Sequence, residues 1–375
     1  MKILIVYPKI SVFGGAELVV VHLCNHLATQ GHSPALLTGA IIPEVRDRIR
    51  QAEIIECPPT KRSQNVFEAA YSLWKHVRNI CSVFDVINVH NFPAELSAFR
   101  CSRPLVWLCN EPEYYLTRER ITTFRGILAW HLLMPFEKYV VKRHIDNIVV
   151  SDAYNRHRFE EIYGRTPEII HYGIDADFFS QGDSDAKKRL GWHGKFIILH
   201  VGMMTPFKNQ LQSLITLNSL RHEIEGLQLV FAGSWEEEYK AAIDRYIREA
   251  DLADFVHFTG HIGREKLREL YHACDVLLHP IKPQGGWLAP FEAMCAGKPV
   301  VVSEELTAAS IIRDNGIGIV TADYASAISD IARNRESYNP MGDQAREWVG
   351  ANLTWESFCS RMLTVLRSAA QKHSP

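Results

Sequence analysis

Residues 275–303 read DVLLHPIKPQGGWLAPFEAMCAGKPVVVS. The stretch opens on a short apolar run, DVLLHP, and closes on a β-branched one, KPVVVS. Between them lie a glycine-rich turn and a helix-like segment from Pro290 onward. Strands separated by helices imply βαβ units and a parallel sheet. In such sheets ligands bind outside the carboxyl ends of the strands. The two glycines therefore fall where a ligand is expected.

The same alternation extends outward. Towards the amino terminus come KFIILHVG, then KNQLQSLITLNSL at helical spacing, LQLVFAG, the helix-like EEEYKAAIDRYIREA, DFVHFTG and GREKLRELYHAC. An irregular stretch, HYGIDADFFSQG, separates this series from an earlier one of the same kind. The earlier series runs KILIVYP, FGGAE, LVVVHLCNHLATQ up to Gly31, SPALLTG, a helix-like 64–82, VFDVINVH, RPLVWLC and NIVVSD. The expected fold is α/β with two doubly wound, Rossmann-like domains facing a central cleft. The expected boundaries are 1–171, 172–353, and a last amphipathic helix over 354–375 that crosses back to the first domain.

Composition agrees with two globular cores. The 375 residues are 47% hydrophobic and 22% charged, ordinary for a globular chain of this length. A net charge of −2 argues against a general nucleic-acid binder, which carries a basic excess. Eight cysteines show no CxxC and no metal-ligand spacing, so they read as reduced thiols of a cytoplasmic protein. MKILIVYPKI is too short an apolar run for a signal peptide. No run approaches the ~18 apolar residues of a membrane span.

Five places carry candidate chemistry. Gln284-Gly285-Gly286-Trp287 feeds a helix, and such a turn offers backbone N–H groups and a positive dipole end to a phosphate. Glu292, about a turn into that helix, is placed to accept hydrogen bonds from ribose or sugar hydroxyls. A surface glutamate serving the helix dipole is the plainer alternative. Lys208 follows the strand KFIILHVG and opens the next helix, where a point charge suits a diphosphate. Gly14-Gly15-Ala16-Glu17 is not GxGxxG, but its glycines allow close backbone approach; a tight turn explains them equally. His90 and Cys109-Asn110-Glu111 end two first-domain strands, where a histidine could polarise a hydroxyl and Glu111 could act in acid–base work. A structural histidine is the alternative. The stretch 117–143 interleaves apolar and basic residues as an interfacial helix does, or covers the first sheet. Asp175 and Asp177 resemble a metal-binding DxD, but their place in the linker speaks against a metal.

Taken in order, GGAE, YGIDADFF, HVGMMTPFKNQ, LVFAG, VHFTGHI, LRELYHACDVLLHP and FEAMCAGKPVVVS resemble the GT4 family of retaining glycosyltransferases, which have the GT-B fold. The resemblance spans nearly the whole chain. It implies transfer of a hexose from a nucleoside-diphosphate sugar to a saccharide or lipid-linked acceptor, without a metal or other cofactor and without nucleic acid. In the family's E-x7-E pair, the second position matches Glu292, implied to bind the donor ribose. The first falls on Gln284, which keeps hydrogen-bonding capacity without charge.

The resemblance assigns Lys208 to the diphosphate, with Gly202 and Met203 where the family often has Gly-Arg. It makes Gly15, Gln284, Gly285, Gly286, Trp287, Leu288 and Glu292 donor-side residues, and packs the base near His261-Ile262. Gly14 and His90 fall on the acceptor side. The family's first-domain histidine is replaced by Cys109-Asn110-Glu111, so Asn110 or Glu111 takes its contact. Ser310 stands where a later family glutamate is usual. These losses keep a non-catalytic nucleotide-sugar-binding protein as the alternative. The family also implies work in surface polysaccharide or glycoconjugate synthesis, with peripheral membrane contact through 117–143.

Overall fold

The computed structural model describes residues 1–11, 13–57, 66–110, 112, 124–182, 185–282 and 287–372. The chain divides into two compact units, Met1–Gly173 with Trp355–Pro375, and Ile174–Thr354.

The first unit holds β1 (Lys2–Tyr7), β2 (Ser33–Thr38), β3 (Glu53–Glu56), β4 (Val86–His90), β5 (Leu105–Leu108), β6 (Asn147–Val150) and β7 (Glu168–Ile169). They pair in parallel in the order β3-β2-β1-β4-β5-β6-β7. The inner strands are buried on both faces, which is why they read as continuous apolar runs rather than alternating ones. One face packs on the helices Gly15–Thr29 and Trp355–Lys372, through Val20, Leu23, Phe358, Met362 and Leu366. The other carries Leu73, Val77, Val140 and Phe159 from three more helices. Gly31, at φ +75°, turns the chain after the helix Gly15–Thr29, as its freedom from a Cβ allows.

The last helix thus belongs to the first unit. Trp355 starts it, stacked on His22 with ring centroids 4.2 Å apart. Gly173 passes so close that a Cβ there would lie 2.4 Å from the Trp355 Cα. Backbone stands on both sides of that contact, so no side chain fits.

The second unit holds β8 (Phe196–Val201), β9 (Leu227–Ala232), β10 (Val256–Phe258), β11 (Val276–His279), β12 (Val300–Val302) and β13 (Ile319–Val320). They too are parallel, in the order β10-β9-β8-β11-β12-β13. The quoted stretch is β11, the helix Leu288–Cys295 and β12, the βαβ unit its pattern predicts. The linker-like HYGIDADFFSQG contains a short helix, Ala176–Ser180. Among the described residues, no helix is long and apolar enough to cross a membrane.

Both sheets reverse their strand order once, between β1 and β4 and between β8 and β11. At such switch points the loops leave in opposite directions and open a crevice at the carboxyl ends. These two places position the candidate residues.

Candidate active site

In the second unit the carboxyl ends of β8, β9 and β10 lead to Gly202, Gly233 and Gly260, all at positive φ. A Cβ on Gly233 would lie 2.3 Å from the Gly202 carbonyl oxygen. Neighbouring loops therefore leave the sheet in backbone contact, with no side chain between them. The Gly202 N–H donates to the Ala232 carbonyl at 2.9 Å, and that of Gly233 to the Gly260 carbonyl at 3.0 Å.

Lys208 does not open the following helix. That helix begins at Gln210, behind Asn209 at φ +57°. Lys208 lies in the preceding turn, its N–H donating to the Thr205 carbonyl at 3.1 Å. Asparagine tolerates the left-handed conformation, and here its side chain donates to the Pro280 carbonyl at 2.9 Å. The Lys282 N–H donates to the Phe207 carbonyl at 2.9 Å. The turn bearing Lys208 is thereby tied to the chain leaving β11, across the switch point. The lysine stem runs beside Gly202, its Cδ 3.4 Å from where a Cβ would stand. Beneath it His200 is fully buried, with Nδ1 2.8 Å from the Ser213 hydroxyl. Burial first, and the Lys208 ammonium second, push the His200 imidazole down to about 3. It stays neutral.

Glu292 is the fifth residue of the helix Leu288–Cys295. It is only 9% exposed and accepts a 2.8 Å hydrogen bond from the Tyr271 hydroxyl. Burial raises its carboxyl to about 7, against the lowering influence of Tyr271 and Arg264. A carboxyl so held can accept from a hydroxyl when ionised and donate to one when protonated. Trp287 is nearly enclosed, its ring 4.8 Å from Phe291. Its expected donor contact therefore cannot come from an open indole face. Leu288 and Ile262 are half-buried, and His261 is exposed. Gln284, Gly285 and Gly286 lie outside the described residues. Asp175 is committed to an ion pair with Arg264 at 2.7 Å. Among the described residues, no three His, Cys, Asp or Glu side chains gather as metal ligands.

In the first unit the switch point holds a chain of side-chain hydrogen bonds. The Tyr172 hydroxyl donates to Asn110 Oδ1. Asn110 Nδ2 donates to Asn91 Oδ1 at 2.6 Å, and Asn91 Nδ2 to the Tyr7 hydroxyl at 3.1 Å. Tyr7 donates to Glu17 Oε1 at 2.9 Å, while Glu17 Oε2 accepts the Gly14 N–H at 3.1 Å. Burial and the Glu17 carboxylate hold the Tyr7 phenol well above its usual range. The GGAE motif is thus an N-terminal cap on the helix beginning at Gly15 as well as the end of this chain. Gly14 is extended at φ −134°, so its conformation does not demand glycine.

His90 departs from expectation. It is fully buried, 2.7 Å from Asn88 Oδ1, and burial pushes it down to about 3. Asn88 in turn donates to the Val106 carbonyl. Sealed under the network, His90 has no face to offer an acceptor and serves as a neutral internal hydrogen bonder. Asn110 is half-buried and fixed through both amide atoms; Glu111 lies outside the described residues. Sequence reasoning missed Asn91, Tyr7, Tyr172, Tyr271 and Asn209. Asn91 follows β4 directly, and its φ of +56° is the kind of turn an asparagine after a strand signals.

The helix Phe124–His144 exposes Leu132, Phe136 and Tyr139 and ends in Lys142, Arg143 and His144. Residues 117–123 of the stretch singled out above lie outside the described residues.

The family described as "Glycosyltransferase Family 4" matches residues 13–178, and that described as "Glycosyl transferases group 1" matches residues 183–348. A relative in Mycobacterium tuberculosis is a GDP-mannose-dependent alpha-(1-6)-phosphatidylinositol monomannoside mannosyltransferase. It is 24% identical over 260 residues, 64% of this chain and 67% of its own. Spore coat protein SA of Bacillus subtilis is 22% identical over 76% of this chain and 78% of its own. Among solved structures, HepE of Anabaena in complex with UDP and glucose has a TM-score of 0.80 at 18% identity, covering 98% of this chain and 100% of its own. WaaG, a glycosyltransferase involved in lipopolysaccharide biosynthesis, has a TM-score of 0.76 at 18% identity, covering 97% and 99%.

Proposed function

Because the chain belongs to the GT4 family of glycosyltransferases, with the GT-B fold, we propose that it moves a hexose from a nucleoside-diphosphate sugar to a hydroxyl of a saccharide or lipid-linked acceptor, with retention at the anomeric carbon. The observation that carries this reading is the β8/β11 switch point. There Lys208 lies along a glycine with no Cβ, in a turn tied to the chain leaving β11.

In this reading the acceptor hydroxyl oxygen bonds to the anomeric carbon as the bond to the diphosphate oxygen breaks. The leaving oxygen takes the hydroxyl proton. Charge builds on the diphosphate, and Lys208 with nearby backbone N–H groups stabilises it; preorganised electrostatics of this kind carry much of catalysis. Lysine rather than a metal ion supplies the counter-charge, and no cofactor enters. Glu292 holds the ribose. Surface polysaccharide or glycoconjugate assembly is the setting this chemistry suits.

The test is thermal unfolding with millimolar UDP, GDP, ADP and dTDP, each with EDTA. A ligand that binds only the folded state stabilises by RT ln(1 + [L]/Kd), about 2.7 kcal/mol at a hundredfold excess. GDP and UDP come first, given the mannosyltransferase relative and the HepE complex. One nucleotide is expected to raise the midpoint despite the chelator. No shift with any of them would defeat the donor assignment. Both amide atoms of Asn110 being engaged within the protein favours a second reading, a non-catalytic nucleotide-sugar binder. Nucleotide binding without transfer or sugar hydrolysis across an acceptor panel would select it.

A lipid-linked acceptor also requires access to a membrane surface. The exposed Leu132, Phe136 and Tyr139 beside Lys142 and Arg143 suit an anionic interface. Co-sedimentation with anionic vesicles at low salt is expected, and Leu132→Glu with Phe136→Glu should abolish it. Protein left in the supernatant under those conditions would discard the membrane contact.

A further inference from the structure

Beyond Lys208 and Glu292, the carboxyl edge of the second sheet carries a large aromatic side chain that the assignments above leave unused. Trp235 follows β9 and Gly233-Ser234. It is 36% exposed, whereas tryptophan is highly buried on average. It is also held in place. Its backbone bridges Met204 in the Lys208 turn, and its indole N–H donates to Glu237 Oε1 at 3.1 Å. The Lys240 ammonium stands 5.6 Å from its ring centroid and 4.2 Å from that of Phe258. The six-membered edge of the indole lies over Gly260, 3.9 Å from where a Cβ would stand. Gly260 opens the loop to His261-Ile262.

We propose that Trp235 is the stacking platform for the base of the donor nucleotide. The inference rests on the nucleotide-sugar reading above and adds to it the residue that grips the base. Two observations combine. Gly260 and Gly202 end strands two positions apart in the order β10-β9-β8, about 10 Å at the usual spacing. That matches the reach from a base, across a ribose, to the second phosphate. With the diphosphate at Lys208, the base falls at the β10 end, where Trp235 lies on Gly260. An aromatic face then meets a flat π-system, an arrangement that accepts any base. The base identity is left to hydrogen bonds from the loop after Gly260.

The experiment titrates wild type, Trp235→Ala, Trp235→Leu and Trp235→Phe by calorimetry with UDP, GDP, ADP and dTDP, and with inorganic pyrophosphate. For the nucleotide that binds wild type, Trp235→Ala and Trp235→Leu are expected to raise Kd roughly tenfold, about 1.4 kcal/mol. Trp235→Phe keeps a ring and should change it less than about threefold. Pyrophosphate affinity should be the same in all four proteins, because it has no base. Unliganded melting checks that each variant folds. An unchanged nucleotide Kd in Trp235→Ala and Trp235→Leu overturns this proposal alone. Equal weakening of nucleotide and pyrophosphate also overturns it, because the residue would then only support the Lys208 turn. A wild type that binds none of the nucleotides overturns the donor assignment and this proposal together.

Discussion

Turnover of Lys208→Ala is expected to fall on the order of a hundredfold, about 2.7 kcal/mol of barrier. The turn itself should survive. The Lys208 N–H keeps its bond to Thr205, and Asn209 keeps its bond to Pro280. In the proposed reaction, what is lost is the ammonium opposite the departing diphosphate. Its counter-charge grows in value as the transition state gains charge, so kcat should suffer more than KM. Lys208→Arg tests the geometry. The lysine stem occupies the groove left by Gly202, and a broader guanidinium has to find its own seat, so only partial recovery is expected. Steady-state release of nucleoside diphosphate, with melting as the control for folding, reads all three proteins. Wild-type turnover in Lys208→Ala would remove this lysine from the reaction.

Glu137→Gln is expected to gain stability relative to wild type as pH climbs from about 5 to 8. Glu95 and Glu137 are both fully buried in the first unit. Glu137 accepts a 2.6 Å hydrogen bond from Tyr163, whereas neither carboxyl oxygen of Glu95 has a hydrogen-bond partner among the described residues. Burial lifts Glu137 from 4.5 to about 7; burial and then Glu137 lift Glu95 well above its usual range. A carboxyl whose folded pKa exceeds its unfolded value adds stability below the unfolded value. It loses that stability as pH rises through the folded one. For Glu137 the window runs from 4.5 to about 7, about 3 kcal/mol in all. Glutamine keeps an oxygen for Tyr163 and never ionises. Glu137→Gln should therefore gain on wild type at about pH 8 by roughly that amount, and not at about pH 5. Denaturant melts at the two pH values decide it, and parallel slopes would refute it.

The fold was legible where burial is two-sided. KILIVYP, KFIILHVG and LQLVFAG announce inner strands because a parallel sheet covered on both faces leaves no room for polar alternation. Of the edge strands, β10 was read from DFVHFTG, whereas β3, β7 and β13 are two to four residues long with no fully buried position and went unread. The helices Ala309–Asp314, Tyr324–Arg333 and Arg335–Asn352 also went unread. The last contains Pro340, which reads locally as a break. For the candidate site, the places of Lys208 and Glu292 after a strand and a turn were legible, though not that the helix starts only at Gln210. The Tyr172–Asn110–Asn91–Tyr7–Glu17 chain was not. Asn91 and Tyr7 are 84 residues apart in sequence, and only the pairing of β1 with β4 brings them together. His90 shows the converse: its place at a strand end was legible, but its burial depends on what packs over it.

The closing helix has a consequence for the order in which this chain can take shape. Every residue of the second unit, from Ile174 to Thr354, leaves the ribosome before Trp355 does. The first unit lacks Phe358, Met362 and Leu366 from its core until the whole second unit has been made. That sheet face keeps the helix Gly15–Thr29 but lacks the rest of its cover for the time taken to synthesise a whole domain. Synthesis therefore completes the two units in the reverse of the order in which it starts them. That interval is when an unfinished core is exposed to association with other chains.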